Sequence, residues 1–482
     1  MLTQEQAAII ESEASHKVVV AGAGTGKTFV LVEQIVRWID DGVDPGTMMA
    51  VTYTRRAGEE LRSRVLERTG ETIGYVGTIH SWCLAKLWKA GIPVTPLESL
   101  ELAMVVDMIA ERSSMTSVNA KRVCKLLDGD LRRPSTEESS LATLVMQYMH
   151  EQHLVLVGAL PRLWLTMARM RPVALTRARA SACCIMWDEY QDSDPREEAI
   201  LDVLQPDLSF VVGDHRQAIY QFRGGDSSLL ARREGERFPL TINRRSCAEV
   251  VNLANRVAIH GAELSAWHDE PGLIERDEDL FDGCLWPLLD EDETVHVLCR
   301  TNREVRRVGY ECADRGVSCH VVSRDLDPYA APEWIDAYSM ARYVMAPECE
   351  WTRDRVMKMQ DVDVGWLNDS IYGNDTMHRM MMAHPVLRNK DDARVRAMQV
   401  SEFIRWYGKR DLQDQLPDEA DAPAVVAMTV HASKGLEFDR VVLADVGRKL
   451  GGKKGEEERN VLYVGITRAK SVLALNEVEN AE

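Results

Sequence analysis

At 482 residues the chain is too long for one ordinary hydrophobic core, so several domains are expected. Hydrophobic residues make up 45% and charged residues 28%, ordinary for a soluble globular protein, and no apolar run is long enough for a membrane span. The net charge of −18 excludes a uniformly basic surface but allows a locally positive groove.

The chain opens with "MLTQEQAAIIESEASHK", which lacks a signal-peptide pattern. "VVVAGAGTGKT" follows, running from a strand at Val18–Val20 through a glycine-rich loop into a helix beginning near Lys27. That context is what a phosphate-binding loop requires. Across Gly22, Ala23, Gly24, Thr25 and Gly26 the backbone N–H groups can turn inward around phosphate oxygens, where larger side chains would block the approach. Lys27 is placed to reach the β- and γ-phosphates, and the Thr28 hydroxyl to ligate Mg²⁺. One position departs from the strict pattern, which begins with glycine where this chain has Ala21.

A helical-period segment, "KTFVLVEQIVRWI", leads to a second strand-length run, "TMMAVTYT". From about residue 90 to 175 the pattern is mostly helical with little strand character. Between His153 and Ala182 there are five arginines and no acidic residue, which reads as a basic helix face.

Next comes "CCIMWDEYQDSDP", an apolar run that ends in Asp188, Glu189, Asp192 and Asp194. Each clustered carboxylate raises the cost of ionising its neighbours, so the charge needs a reason. A divalent cation with a phosphate behind it supplies one. Asp188 would hold Mg²⁺ directly or through water, and Glu189 would orient or deprotonate the attacking water. A helix N-terminus enriched in acids is the alternative, though it does not explain why the acids follow a buried strand.

Further strand-length runs are "LSFVVGD", "TVHVLCRT", "AVVAMTV", "RVVLADV" and "SVLALNE". Strands alternating with helical segments predict an α/β fold with parallel sheets and crossover helices. Residues from about 333 to 415, rich in Met, Arg and Asp, interrupt the alternation like 90–175, and both read as helical insertions. Eleven acidic residues between Asp269 and Glu293, against Arg276 alone, read as a solvated linker. The ten cysteines form no CxxC pair, so reduced thiols and a cytoplasmic location are expected and a zinc ribbon is not.

Taken in order, these segments resemble a UvrD/Rep-type superfamily 1 DNA helicase over nearly the whole chain. "DEYQD" is typical wording for that family, and Gln6, 21 residues before Lys27, resembles its adenine-reading glutamine. "AVTYTRRAGEELRSR" and "GTIHSWC" are similar to its DNA-contacting motifs, and "VVGDHRQAIYQFRGGD" to the motif coupling the γ-phosphate to DNA. "TINRRSCAEVVNLAN", "VLCRTNREVRR", "MTVHASKGLEFDRVVL" and "EEERNVLYVGITRAK" match the later ones.

The resemblance implies two RecA-like P-loop domains, 1–239 and 240–482, each with an insertion, about 90–175 and a shortened 333–415. It implies ATP and Mg²⁺ as cofactors, Arg245 and Arg468 as arginine fingers, Gln217 at the γ-phosphate, and Glu437 at the ribose or the domain interface. Single-stranded DNA needs sequence-tolerant stacking and phosphate contacts, which places Tyr53, His80, Tyr220 and Phe222 along its path, with Thr78 and Arg223 on phosphates. Tyr53 and Tyr220 each follow a predicted strand directly, so a core position is their alternative. Phe222, before two glycines, reads as exposed.

Two departures stand out. Arg244 occupies the position where the family usually stacks an aromatic on adenine; a guanidinium plane can stack on a base too, but base selectivity is then in question. The insertion between "CRTN" and "MTVH" is also short. The expected function is ATP-dependent 3′-to-5′ translocation on single-stranded DNA, coupled to domain closure. Its partners would be single strands, single/double-strand junctions, and a nuclease or a replication or repair factor, with no membrane. The first rival is a helicase-like ATPase subunit of an antiviral defence or other multi-protein DNA-processing complex, sensing DNA ends for a partner nuclease. The second is a nucleotide-binding switch without turnover, against which Glu189, Arg245 and Arg468 argue.

Overall fold

The structure, a computed structural model, describes residues 2–97, 99–127, 133–221, 224–289, 293–322, 423–447 and 455–477. The segment expected as the second insertion, 333–415, and the candidate DNA contacts Phe222 and Arg223 lie outside the described residues.

A first sheet is started by β1 (His16–Ala21), β2 (Met48–Val51) and β3 (Tyr75–Gly77). The chain then leaves it. Residues 93–158 belong to a second compact unit, in which β4 (Thr95–Leu97) pairs in parallel with β5 (Leu154–Leu156). Helices Ser99–Arg112, Ala120–Leu127 and Thr136–Glu151 lie between those strands and pack on one another. On its return the chain adds β6 (Cys184–Trp187), β7 (Leu208–Gly213) and β8 (Glu236–Leu240). The order is β3-β2-β6-β7-β1-β8, and every pairing is parallel. β2 and β6 are buried at every residue, as strands covered on both faces must be.

Two helices before β6, Leu160–Met170 and Pro172–Ala180, pack against the helices Ile79–Lys89 and Pro195–Leu204, with Trp82 against Trp164 inside. The five arginines of the basic run are all exposed on these helices and the residue between them.

Beyond a short ladder of β9 (Ile242–Asn243) and β10 (Ser265–Ala266), a second sheet contains β11 (Leu273–Asp277), β12 (Val295–Cys299), β13 (Cys319–Val321), β14 (Val425–Thr429), β15 (Phe438–Val446) and β16 (Ala469–Glu477). Its order is β11-β16-β15-β12-β14-β13, again all parallel. The acidic stretch 269–293 is therefore not only a linker, because β11 and the turns after it pack on this sheet. Ala23 and Ile219, from loops of the first sheet, are buried in the same apolar cluster as Val426, Val461 and Leu473.

The helix Gln4–Glu11 is fixed at both ends. Thr3 and Gln6 form a reciprocal capping box at its start. Below it the fully buried Lys17 of β1 donates from Nζ to the Ile9 carbonyl at 2.7 Å and to Gln34 Oε1 at 2.8 Å.

Candidate nucleotide site and nucleic-acid track

In a parallel sheet the loops after the strands gather at one edge, where open α/β folds bind ligands. β1 and β6 flank β7, so the glycine-rich loop, the acidic turn and Asp214 meet there. Ala21 is the last residue of β1, in register with Leu240, so the position is extended strand and has no need of glycine. Gly24 and Gly26 do need to be glycine. Their φ angles are 69° and 86°, and a Cβ on Gly24 would lie 2.7 Å from Asn243 Nδ2.

The loop carbonyls are held from outside. Asn243 Nδ2 donates to Ala23 O at 2.8 Å, the Arg244 N–H to Gly24 O at 2.8 Å, and Gln6 Nε2 to Thr25 O at 3.3 Å. The Thr25 hydroxyl closes the turn onto the Gly22 carbonyl at 2.9 Å. With the carbonyls so engaged, the N–H groups at the start of the helix Lys27–Asp40 are left for an anion. Lys27 Nζ is buried and makes no hydrogen bond among the described residues; Glu189 Oε1 stands 3.5 Å away. A buried ammonium with its donors unused fits a phosphate. Thr28, half-buried, follows in the first turn.

The four carboxylates after β6 divide into two kinds. Asp188 is fixed at the strand end by its N–H on Val51 O at 2.9 Å. Glu189 adopts a left-handed conformation, φ 51°, and Gln191 Nε2 donates to its Oε2. Burial first and Glu189 second push the Asp188 carboxyl up to about 7. Burial would also raise Glu189, but Lys27 and Lys434 outweigh it and bring that carboxyl down to about 2. The remaining two are structural. Asp194 caps the helix Pro195–Leu204, accepting from the Arg196 and Glu197 N–H groups in a capping box. Asp192 is buried in an ion pair with Lys434, whose Nζ also donates to Gln217 O at 2.8 Å. The helix-cap reading of the cluster therefore holds for Asp194, while Asp188 and Glu189 stand apart from that cap beside Lys27.

Among the described residues no group of three or more His, Cys, Asp or Glu side chains forms a metal site. Mg²⁺ is usually bound by one or two carboxylates together with substrate phosphates. Asp188 and Thr28 are the side chains that would contribute here.

Gln217 is buried, its Nε2 on Asp214 Oδ2 at 2.9 Å, and Asp214 also takes the Arg216 Nε at 2.9 Å. Arg245 donates from Nε to Glu437 Oε2 at 2.7 Å and from Nη1 to the Thr467 carbonyl at 3.2 Å. Glu437 thus engages a candidate finger. Arg468 is fully buried, bonded to the carbonyls of Val464 at 3.0 Å and Leu436 at 2.8 Å. Burial, then the neighbouring Arg245, bring it down to about 9, so the pair of guanidiniums would be relieved by an anion.

Of the candidate nucleic-acid contacts, Tyr53 and Tyr220 are half-buried and stacked on each other, with centroids 4.6 Å apart and planes at 19°. They are neither in the core nor free. The Tyr220 hydroxyl donates to His431 O at 3.3 Å, and Lys434 Nζ lies 5.2 Å from the Tyr220 ring centroid. Thr78 caps the helix Ile79–Lys89 through the Ser81 N–H, and His80, its pKa lowered by burial, sits 3.7 Å from Glu197 Oε1.

Comparison with known protein families places this arrangement. Residues 2–153 and 110–237 match the UvrD/REP helicase N-terminal domain, and residues 386–480 match the UvrD-like helicase C-terminal domain. The chain belongs to the UvrD/REP helicase family. It is 25% identical to the ATP-dependent DNA helicase UvrD2 of Mycobacterium tuberculosis over 95% of this chain and 76% of that protein. It is 22% identical to the ATP-dependent DNA helicase PcrA of Staphylococcus aureus over 98% and 82% respectively, and likewise 22% identical to PcrA of Leuconostoc citreum.

In this UvrD/REP family member the sequence motifs converge where the strands end, but several partners were not anticipated. Gln191 bridges the two loops, holding Glu189 and accepting the Asp214 N–H at 2.9 Å. Lys434 stands inside the quoted "SKGLEF", yet its partner Asp192 is 242 residues away, and no local pattern reveals that pairing. Asn243 clamps the phosphate loop from the ladder after β8. Its signal was its place in "INRRS", two residues before the candidate finger.

Proposed function

We propose that this protein is an ATP-dependent DNA helicase that hydrolyses ATP–Mg²⁺ and translocates 3′ to 5′ along single-stranded DNA. The observation that carries the reading is one run of contacts joining the two candidate sites. Glu189 is held by Gln191, Gln191 Nε2 also reaches Asp192, Asp192 pairs with Lys434, and Lys434 lies over Tyr220, which stacks on Tyr53. A change at the γ-phosphate thus has a short path to the aromatics that would meet bases.

In this reading Lys27 binds the β- and γ-phosphates, and Glu189 accepts the proton of the attacking water through a carboxylate that Lys27 and Lys434 keep ionised. Bound Mg²⁺ supplies charge neutralisation at the phosphates. Arg245 and Arg468 exchange their present partners for the γ-phosphate as the parts bearing them close on it, which is how hydrolysis becomes motion.

The test is ATP turnover with and without single-stranded DNA, followed by strand displacement on a 3′-tailed duplex. Strong stimulation by single strands is expected. Unwinding by the isolated protein should be weak, since each base-pair step is stabilised by about 1.4 kcal/mol and the insertion that would hold the duplex is short. Turnover indifferent to DNA would overturn the proposal. Displacement only from 5′-tailed duplexes would overturn the polarity.

A further inference from the structure

Asp214 follows β7 and serves two side chains at once. Its Oδ2 accepts from Gln217 Nε2 at 2.9 Å, while its Oδ1 accepts the Arg216 N–H at 3.1 Å and Arg216 Nε at 2.9 Å. Nothing in the sequence marks Arg216 for chemistry, yet its residue is only 5% exposed. A guanidinium is kept at such a place only where its donors and its charge are met. The partners beyond Asp214 come from the part of the chain that builds the second sheet. Nη1 donates to the Ala262 carbonyl at 2.9 Å, and the guanidinium carbon lies 5.2 Å from the centre of the Tyr463 ring. Tyr463 is fully buried in the helix Glu456–Ile466. Nη2 reaches the phosphate loop, where a Cβ on Gly22 would lie 2.9 Å from it.

The same helix grips this turn a second time. Asn460 Nδ2 donates to the carbonyls of His215 and Ala218, each at 3.1 Å. The helix leads through Thr467 directly into Arg468, whose Nε is bonded back to the Val464 carbonyl of its last turn. The turn gripped by the helix therefore carries Gln217, and the helix itself carries a candidate finger. Between them stands one planar cation whose fork meets a carboxylate, a carbonyl and an aromatic face in different directions, which a lysine ammonium could not do. When Gln217 turns to a γ-phosphate it leaves Asp214 Oδ2, and the carboxylate remains fixed through Oδ1 by Arg216.

We infer that Arg216 is a positioning residue for hydrolysis: it ties the turn bearing Gln217 to the helix leading into Arg468, so that both reach the γ-phosphate in step. This rests on the hydrolysis reading given above and adds to it the side chain that aligns the two halves of the site.

The experiment measures kcat and KM for ATP on the full chain with saturating single-stranded DNA. Arg216→Lys keeps a charge for Asp214 but cannot hold the Ala262 carbonyl and the Tyr463 ring as well. It should lower kcat by about 10- to 100-fold, the scale of a misplacement of about 1 Å, while KM for ATP moves by less than about threefold. Tyr463→Leu leaves the Arg216–Asp214 pair intact, should have the same effect, and stands in if the lysine variant does not fold. Tyr463→Phe, which keeps the ring, should restore most of kcat. Arg216→Lys combined with Arg468→Ala should be no slower than Arg468→Ala alone, because residues acting through one step do not add. A role in packing alone would raise KM as kcat falls, and the double variant would show the product of the two losses. Either result, or normal kcat in both Arg216→Lys and Tyr463→Leu, would overturn the inference and leave the hydrolysis reading standing. Wild-type turnover in Arg468→Ala would overturn the finger itself, and the inference with it.

Discussion

Lys27 and Arg468 are both buried cations near Glu189, one from the loop after β1 and the other from the turn before β16. Their situations differ. Lys27 Nζ makes no hydrogen bond among the described residues, whereas Arg468 donates to two backbone carbonyls and to the Thr467 hydroxyl. Arg245 resembles Arg468 in this respect, tied to Glu437 and to the Thr467 carbonyl. In the proposed reading Lys27 is the cation kept for a phosphate, and the two arginines are parked on protein partners. Hydrogen bonds to charged groups are worth about 1.5–3 kcal/mol each, so the arginines leave those partners only for something better. Charge developing on a γ-phosphate in the transition state is such a thing. Binding and turnover should therefore be separable by mutation.

The largest expected effect is at Arg468. Arg468→Ala should lower turnover by about 10³-fold or more while ATP affinity stays within a few-fold, read by single-turnover hydrolysis beside equilibrium binding. If binding fell as far as turnover, Arg468 would belong with Lys27 and the contrast would be gone. Glu189→Gln should bind ATP–Mg²⁺ yet hydrolyse it about 10²- to 10⁴-fold more slowly. Near wild-type turnover would take the water-orienting role from Glu189. On the DNA side, Phe222→Ala should cost about 1–3 kcal/mol of single-strand affinity in a fluorescence titration. An unchanged affinity would take Phe222 off the track and leave Tyr53, His80 and Tyr220 as the stacking contacts still proposed.

The smallest effect sharpens the idea of parking. The Arg245–Glu437 pair is partly solvated, and such pairs are worth about 0.2–1 kcal/mol. Glu437→Gln should release Arg245 and raise DNA-independent turnover by up to about fivefold. A fall would mean that Glu437 aims Arg245 and does not restrain it.

What the sequence made legible follows from locality. The phosphate loop, Asp188 and Glu189 could be read because each lies within a few residues of a strand end, and the run of parallel strands because each is a compact apolar segment. Asp194 and Glu197 also have the spacing of a capping box, so the structural role of Asp194 was visible in principle. The short strands β4 and β5 were not, being three residues each with no alternation to mark them. Nor were the long-range partners. Asp192 with Lys434, Asn243 with Ala23, and Arg244 with Trp267 are chosen by tertiary packing, which no local window contains.

Lys17 ties the helix that carries Gln6 to the sheet that carries the phosphate loop, and it does so from a site where a full charge is expensive. Burial first, and Arg37 second, bring its amine down to about 8 from 10.5. The unfolded chain therefore holds this proton over a range of alkaline pH where the folded one has released it. Below about 8 the folded state bears the whole penalty of the buried charge, and the penalty is relieved as pH rises toward 10.5. Neutral Lys17 can still donate to both Ile9 O and Gln34 Oε1, so the tie survives its own deprotonation. Mild alkali should thus firm up this corner of the molecule, and in a melting series Lys17→Met should remove that rise.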